Sequence, residues 1–288
     1  MRNHPGQSWL QAVACCRAWG LGLLLLAGCA GLRAQTAEVH DLPTRDQVTQ
    51  RVLWVQAAEP KAVMVVLPGG HGGLQISAEG RIGWGETIFF VRNREALARR
   101  GVHVVLVDAP SDRPAPQYLN GHRQRPDHVT DLRAVIRWVR ARSSLPVWLV
   151  GFSRGTQSAA HYAHVLADAD DAPDAVVLAA TIVADRPPGR PVADMPLERI
   201  RVPALWVHHE GDTCEYCPFD QVKASVGRMT NAPRTGLLSY TGGTDHPDRC
   251  GPLGHHGFRQ LESRVEQDVI DLLTAHAPAR APAHPTGR

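Results

Sequence analysis

Ser153 lies between two glycines in the stretch Gly151-Phe152-Ser153-Arg154-Gly155, directly after the apolar run 147–150. The pattern G-x-S-x-G, placed between a strand and a helix, is typical of a serine nucleophile held in a very tight turn. Gly151 and Gly155 would relieve the clashes that side chains make in such a turn. The pattern therefore predicts a nucleophile at Ser153, and an ordinary structural turn is the alternative interpretation.

The hydropathy pattern predicts the elements that must position this serine. From about residue 48, apolar segments that suit buried strands alternate with segments that suit helices. Strands that are apolar on both faces predict a mostly parallel sheet with helices on each side. Ligands bind at the carboxyl ends of the strands in such sheets, so the residues that follow each strand are the informative ones. The predicted strands cover residues 51–57, 61–70, 102–110, 147–150, 174–184, 202–209 and 235–243, and the predicted helices cover 91–101, 128–143, 220–229, 259–276 and the stretch after Ser153.

On these features the chain resembles the α/β-hydrolase superfamily over residues 48–275. The resemblance implies an α/β-hydrolase fold and a triad of serine, acid and histidine in that order along the chain. Asp212, in the stretch LWVHHEGDTC after a predicted strand, is then the candidate acid. Glu210 and Asp185 are the alternatives.

The candidate base is His256, in the stretch CGPLGHHGF before the last predicted helix. A histidine followed by glycine and an aromatic residue at this place resembles the histidine loop of the superfamily. The neighbouring His255 is an alternative, and His246 is a third.

An oxyanion hole needs two backbone donors. One is expected from the amide of Arg154, which follows the nucleophile. The other is expected from the stretch Pro68–Gly73, PGGHGG, which resembles the glycine-rich HGG-type loop of the superfamily. Gly70, His71 and Gly72 are the candidates there, and a plain glycine-rich turn is the alternative.

Three cysteines lie near the predicted acid and histidine. A Cys214–Cys250 disulfide would join the acid loop to the histidine loop, and Cys217 could replace Cys214. Alternatively, Cys214, Cys217, Cys250 and His255 would suit a zinc site of three cysteines and one histidine. The catalytic interpretation already places a neighbouring histidine in the triad, so we expect neither a metal nor another cofactor.

The N-terminal residues have the pattern of a secretory signal, in which an apolar run follows Arg17. The run ends in Leu26-Ala27-Gly28-Cys29, which resembles the lipobox of bacterial lipoproteins, so Cys29 is the candidate lipidation site. The predicted organisation is a signal peptide over 1–28, a linker over 29–47, a catalytic domain over 48–275 and a disordered tail over 276–288. The protein is thus expected to be exported and anchored to a membrane at Cys29, and cleavage near Ala34 to a soluble periplasmic or secreted product is the alternative.

The bulk composition limits the function further. The chain has 288 residues, a formal net charge of +3 and no basic run, which argues against a nucleic-acid partner. The stretch 185–201, where the superfamily often inserts a cap, is too short for a large cap domain. A site without a cap favours short-chain esters, acyl sugars or the exposed ends of polymers as substrates. A peptidase or acyltransferase would share every motif, and a non-catalytic binding protein of this fold is a further alternative. Nothing in the sequence sets the oligomeric state.

Overall fold

The computed structural model describes residues 36–185 and 188–275, which form one sheet of eight strands with six α-helices. The strands are β1 Ala37–Arg45, β2 Val48–Val55, β3 Ala62–Leu67, β4 Val102–Pro110, β5 Val147–Phe152, β6 Ala175–Ala179, β7 Ala204–His209 and β8 Thr235–Tyr240. The helices are α1 Phe89–Arg92, α2 Arg94–Arg99, α3 Pro126–Arg142, α4 Gly155–Val165, α5 Phe219–Val226 and α6 Glu262–Thr274, and short 3₁₀ turns cover Val192–Asp194, Leu197–Arg199 and His255–Gly257.

The strand order across the sheet is β1-β2-β4-β3-β5-β6-β7-β8. β1 and β2 are antiparallel to their neighbours, and the strands from β3 to β8 are all parallel to one another. The carboxyl ends of six strands therefore meet at one edge of the sheet. The prediction of a mostly parallel sheet is confirmed.

Helices cover both faces of the sheet. In β5, Trp148 and Val150 pack into the core on the side of α1, α2 and α6, while Val147 and Leu149 pack on the side of α3, α4 and α5. This alternation follows from the two-residue period of a strand, and the burial of both faces explains why the strand is apolar throughout.

One predicted boundary is wrong. The stretch 29–47 was expected to be a linker, but residues 37–45 form strand β1, which pairs with β2 from Ala37 opposite Val55 to Arg45 opposite Val48. β1 lies at the edge of the sheet and Leu42 is its one buried residue, so its sequence lacks the apolar run by which the inner strands were recognised. An edge strand is held by backbone pairing, which hydropathy does not report.

The absence of a large cap agrees with the expectation from the sequence. Between β6 and β7, the described residues form two 3₁₀ turns and no longer helix. No described helix has the length and apolarity needed to span a membrane. The predicted signal peptide, Cys29 and the tail 276–288 lie outside the described residues.

Candidate active site

Ser153 lies directly after β5 and two residues before the start of α4, at the centre of a tight turn. Its backbone is in the left-handed region at φ 51°, which is costly for a residue other than glycine. The amide of Ser153 donates to the Ala179 carbonyl at 2.9 Å, and the Ser153 carbonyl accepts from the Thr156 hydroxyl at 2.6 Å. The turn is therefore fixed from both sides with a strained serine at its apex, as a nucleophile elbow requires.

The two glycines of the motif are explained by backbone contacts. A Cβ on Gly155 would lie 2.0 Å from the Leu67 carbonyl oxygen, and one on Gly151 would lie 2.6 Å from the Gly155 oxygen. Neither neighbour is a side chain that could move away. Glycine is therefore required at both positions for α4 to begin so close to the ends of β3 and β5.

The glycine-rich loop after β3 packs directly on the serine. A Cβ on Gly69 would lie 2.9 Å from the Cβ of Ser153. The amide of Gly72 donates to the Gly69 carbonyl at 3.1 Å, so it already has a partner within the loop. The amides of Gly70 and His71 donate to no described residue. Of the three candidates for the oxyanion hole in this loop, Gly70 and His71 therefore fit better than Gly72.

Asp212 and His256 are brought together from two different loops. Nδ1–H of His256 donates to Oδ2 of Asp212 at 2.8 Å, and both side chains are 1% exposed. The other carboxylate oxygen of Asp212 accepts from the Cys214 amide at 3.0 Å. The His256 ring lies 5.5 Å from the ring of Phe152, which directly precedes the serine. Nε2 of His256 is buried and has no hydrogen-bond partner among the described residues.

The histidine loop depends on another close approach. A Cβ on Gly257 would lie 1.8 Å from the Pro252 carbonyl oxygen, so only glycine fits after His256. Arg92 of α1 donates to the carbonyls of Pro252 at 3.1 Å and Gly257 at 2.7 Å, and it pairs with Glu262 at 2.9 Å. A largely buried arginine on α1, far away in the sequence, thus holds the loop that carries His256.

The alternative bases have other surroundings. His255 stacks on His209 with ring centroids 4.1 Å apart, and its Nδ1 bonds to the Gly211 carbonyl at 3.0 Å. It therefore supports the loop that carries Asp212 instead of pointing towards the acid. His246 is exposed on the surface.

The alternative acids also lie elsewhere. Glu210 accepts from the hydroxyl of Ser239 at 2.8 Å, and Asp185 is exposed. Of the three candidates, Asp212 is the one whose carboxylate bonds to His256.

Cys214 and Cys250 form a disulfide, with Cα atoms 4.7 Å apart, which joins the loop after β7 to the loop after β8. The predicted pairing is thus present. Cys217 keeps its thiol, which is buried and donates to the Ala180 carbonyl at 3.3 Å. With two of its three cysteines in the disulfide, the zinc site that also used His255 is not assembled, and His255 belongs to no cluster of candidate metal ligands within the described part of the chain.

Three aromatic rings cover the glycine-rich loop. His71 lies between Trp84, at a centroid distance of 3.7 Å, and Tyr118, at 4.4 Å. Nδ1 of His71 accepts from the Gly73 amide at 3.1 Å, so the proton of the neutral ring is on Nε2. Burial lowers the pKa of His71, and the positive charges of Arg123 and Arg154 lower it further, so the ring is neutral at pH 7.

Two arginines that support the site were not identified from the sequence. Arg92 holds the histidine loop, and Arg123 lies beneath the glycine-rich loop. A buried arginine and a solvated one look alike in a sequence, and both of these contact carbonyl oxygens, which leave no mark in the residue types. The stretch GHRQR, residues 121–125, matches no motif that distinguishes Arg123 from its neighbours.

The sequence of the chain matches no family model and no curated protein. Its structure is similar to several solved structures. A lidless α/β serine hydrolase from Xanthomonas campestris aligns over 86% of this chain and 98% of its own, with 18% identity and a TM-score of 0.55. An esterase from Pyrococcus furiosus aligns over 85% of this chain and 92% of its own, with 14% identity and a TM-score of 0.60. Esterase 2 of Thermogutta terrifontis, in a form phosphorylated by paraoxon, aligns over 85% of this chain and 96% of its own, with 19% identity and a TM-score of 0.57.

These similarities extend over nearly the whole length of the solved structures. At identities below one in five they establish the fold, and the chemistry has to be argued from the residues of this chain. The chain has the α/β-hydrolase fold.

Proposed function

We propose that this protein is a serine hydrolase that cleaves carboxylic esters, with Ser153 as nucleophile, His256 as general base and Asp212 as the acid that orients it. The observation that carries the proposal is the buried hydrogen bond of 2.8 Å between His256 and Asp212, together with a serine held at φ 51° directly after Phe152, whose ring lies 5.5 Å from that of His256. A binding protein would not need all three groups, or a strained serine among them.

The roles follow from the atoms that are available. Asp212 accepts the Nδ1 proton, which leaves Nε2 of His256 as the basic nitrogen. Nε2 takes the proton of Ser153 as the serine attacks the acyl carbon, and it then gives that proton to the leaving alcohol. Water repeats the sequence on the acyl-enzyme. The negative oxygen of each tetrahedral intermediate is stabilised by the amide of Arg154, at the start of α4, and by the amide of Gly70 or His71.

Esters are favoured over amides by the names of proteins with a similar fold, and the lack of a large cap among the described residues between β6 and β7 favours small or terminal acyl groups. Several proteins of similar structure are named esterases or dienelactone hydrolases. A peptidase or an acyltransferase would use the same triad, so the substrate panel must include their substrates.

The test is covalent labelling with a fluorophosphonate probe, followed by intact mass. We expect one adduct on Ser153, none in Ser153→Ala and a strongly slowed reaction in His256→Ala. His255→Ala is the matched control, because the His255 ring bonds to the Gly211 carbonyl and not to the carboxylate of Asp212. This variant should keep most of the labelling rate. A folded protein that shows no adduct would contradict the proposal and favour a ligand-binding role.

The class of substrate is tested separately. Turnover of p-nitrophenyl esters of increasing chain length is compared with turnover of p-nitroanilides and with acyl transfer to added alcohols. We expect hydrolysis of short esters to dominate. Faster cleavage of anilides, or transfer that exceeds hydrolysis, would replace the esterase assignment while keeping the triad.

We further propose that the protein is exported and anchored to a membrane by a lipid on Cys29. The signal-like N-terminus supports export, and a Cys214–Cys250 disulfide suits an oxidising compartment. The test is the mass of the mature N-terminal peptide and its partition into detergent, for wild type and Cys29→Ala. A lipid-modified Cys29 is expected, and an unmodified N-terminus near Ala34 would instead indicate a soluble product.

A further inference from the structure

Arg123 lies in the connection between β4 and α3, and it is buried beneath the glycine-rich loop, 4% exposed. Its Nη2 donates to the carbonyl oxygens of Pro68 at 2.9 Å, Gly70 at 3.2 Å and Gly69 at 3.4 Å. Its Nη1 donates to the hydroxyl of Ser158, one turn into α4, at 3.2 Å. One guanidinium therefore joins the glycine-rich loop to the helix that follows the nucleophile.

The ion pairing of Arg123 differs from that of two other arginines. Within the described residues Arg123 has no carboxylate at ion-pair distance, whereas the largely buried Arg92 and Arg140 pair with Glu262 and Asp174. Burial lowers the pKa of Arg123 to about 9, so it stays protonated at neutral pH. A buried cation without a counter-ion is destabilising, so a role in the site would account for its presence.

The contacts of Arg123 fix the direction of the peptide groups above it. In a trans peptide the carbonyl and the N–H point in opposite directions. The cis bond in the described chain is Ala115–Pro116, so the peptides of this loop are trans. Because the Gly69 and Gly70 carbonyls face Arg123, the amides of Gly70 and His71 face away from it. These are the two amides of the loop's oxyanion candidates that have no partner among the described residues.

A second observation shows how closely the loop is fitted to this arginine. A Cβ on Gly72 would lie 2.7 Å from Nη2 of Arg123, and Gly72 has φ 82°. The glycine therefore leaves the space in which the guanidinium reaches the three carbonyls.

We infer that Arg123 is the positioning residue of the oxyanion hole: it aligns the amides of Gly70 and His71, and its uncompensated charge strengthens the field on the negative oxygen. Through Ser158 it also fixes the distance between this loop and the amide of Arg154. The inference rests on the proposed function, because it assigns a role in the same acyl transfer. Preorganised hydrogen-bond donors stabilise the tetrahedral species more than they stabilise bound substrate. Loss of Arg123 should therefore lower kcat and leave KM nearly unchanged.

The test compares Arg123→Gln, which removes the charge, with Arg123→Lys, which keeps the charge but loses the two-nitrogen geometry by which the guanidinium reaches both the loop and Ser158. Removal of one oxyanion donor costs about 10²–10³-fold in kcat, and we expect about 10²-fold for Arg123→Gln with KM nearly unchanged. A trifluoromethyl ketone, which forms a tetrahedral adduct on the serine, should lose affinity by the same factor. Arg123→Lys should recover part of both losses. Arg140→Gln, which loses a largely buried arginine in the last turn of α3, is the matched control and should keep wild-type kcat.

Folding is checked by thermal unfolding of every variant. Where Arg123→Gln does not fold, Arg123→Lys and Ser158→Ala carry the test, since Ser158→Ala removes the contact to α4 and should lower kcat several-fold while Arg140→Gln does not. Unchanged kcat and ketone affinity in the folded variants, or a loss that appears in KM alone, would overturn the inference. Failure of the proposed function looks different, because the wild-type protein itself would then take up no fluorophosphonate.

Discussion

Removal of the Cys214–Cys250 disulfide should lower both the stability of the protein and its activity. The disulfide closes a loop with a sequence separation of 36 residues. Chain entropy for a loop of this length corresponds to about 4 kcal/mol at 25 °C, which is a large share of the ~5–15 kcal/mol that stabilises a typical domain. The double variant Cys214→Ser/Cys250→Ser should therefore unfold at a clearly lower urea concentration than wild type.

The same variant should also lose activity in its folded state. The Cys214 amide donates to Asp212, and Cys250 lies in the loop that carries His256, so the disulfide limits the relative motion of the two residues. A displacement of about 1 Å in a catalytic group can cost about 10²-fold. Because the bond between Asp212 and His256 itself remains, we expect a smaller loss, about tenfold in kcat.

The assay is urea unfolding followed by circular dichroism without reductant, with kcat measured well below the midpoint of unfolding. Cys217→Ala is the matched control, since this buried thiol lies in the same loop outside the disulfide. A stability loss below about 1 kcal/mol would refute the loop-closure reasoning. A loss of about 4 kcal/mol with unchanged kcat would refute the positioning argument alone.

Three further predictions concern single groups. Asp212→Asn should leave folding nearly intact but lower kcat by about 10⁴-fold, because the amide favours the wrong tautomer of the base, and a loss below tenfold would contradict its role. Gly155→Ala should strongly lower the free energy of unfolding, because its Cβ would lie 2.0 Å from a backbone oxygen of β3. Gly242→Ala, at φ 86° with no atom within 4 Å of its Cβ, should lower it by only about 1–2 kcal/mol. Equal urea midpoints for the two variants would refute this expectation. Burial lowers the pKa of His208 to about 4, so the unfolded chain binds a proton at this residue more readily than the folded chain does. The contribution of the neutral His208 to stability is therefore fully present above about pH 6.5 and is lost as the pH falls towards 4. Between pH 7 and pH 5, protonation of this histidine alone should lower the free energy of unfolding by at most about 2 kcal/mol. A urea midpoint that does not move over that range would contradict the lowered pKa of His208.

Much of the site could be predicted because its residues follow strands. Ser153, Asp212 and the glycine-rich loop each come after an apolar segment, and the parallel sheet brings those ends to one edge. The loop that carries His256 could be predicted, but the choice between His256 and His255 depends on a 3₁₀ turn that directs the two adjacent rings to different partners. Such a turn has no sequence period long enough to reveal which ring faces the acid.

The missed features are those held by the backbone. β1 is polar because it lies at the edge of the sheet, and hydropathy therefore assigned its residues to a linker. Arg92 and Arg123 bind carbonyl oxygens, whose positions follow from the tertiary fold. Sequence reasoning finds groups that do chemistry by their type, whereas the groups that orient peptides can be found only once the peptides are placed.

The two arginines also indicate how the fold divides stability from catalysis. Each binds several carbonyls of one site loop, but Arg92 is paired with Glu262 and Arg123 has no acid partner among the described residues. A neutralised arginine can hold the His256 loop without adding net charge near a base that must become an imidazolium. An uncompensated arginine beneath Gly70 and His71 places positive charge where the reaction develops a negative oxygen. The difference in partners thus matches the difference in the charge that each loop meets during acyl transfer.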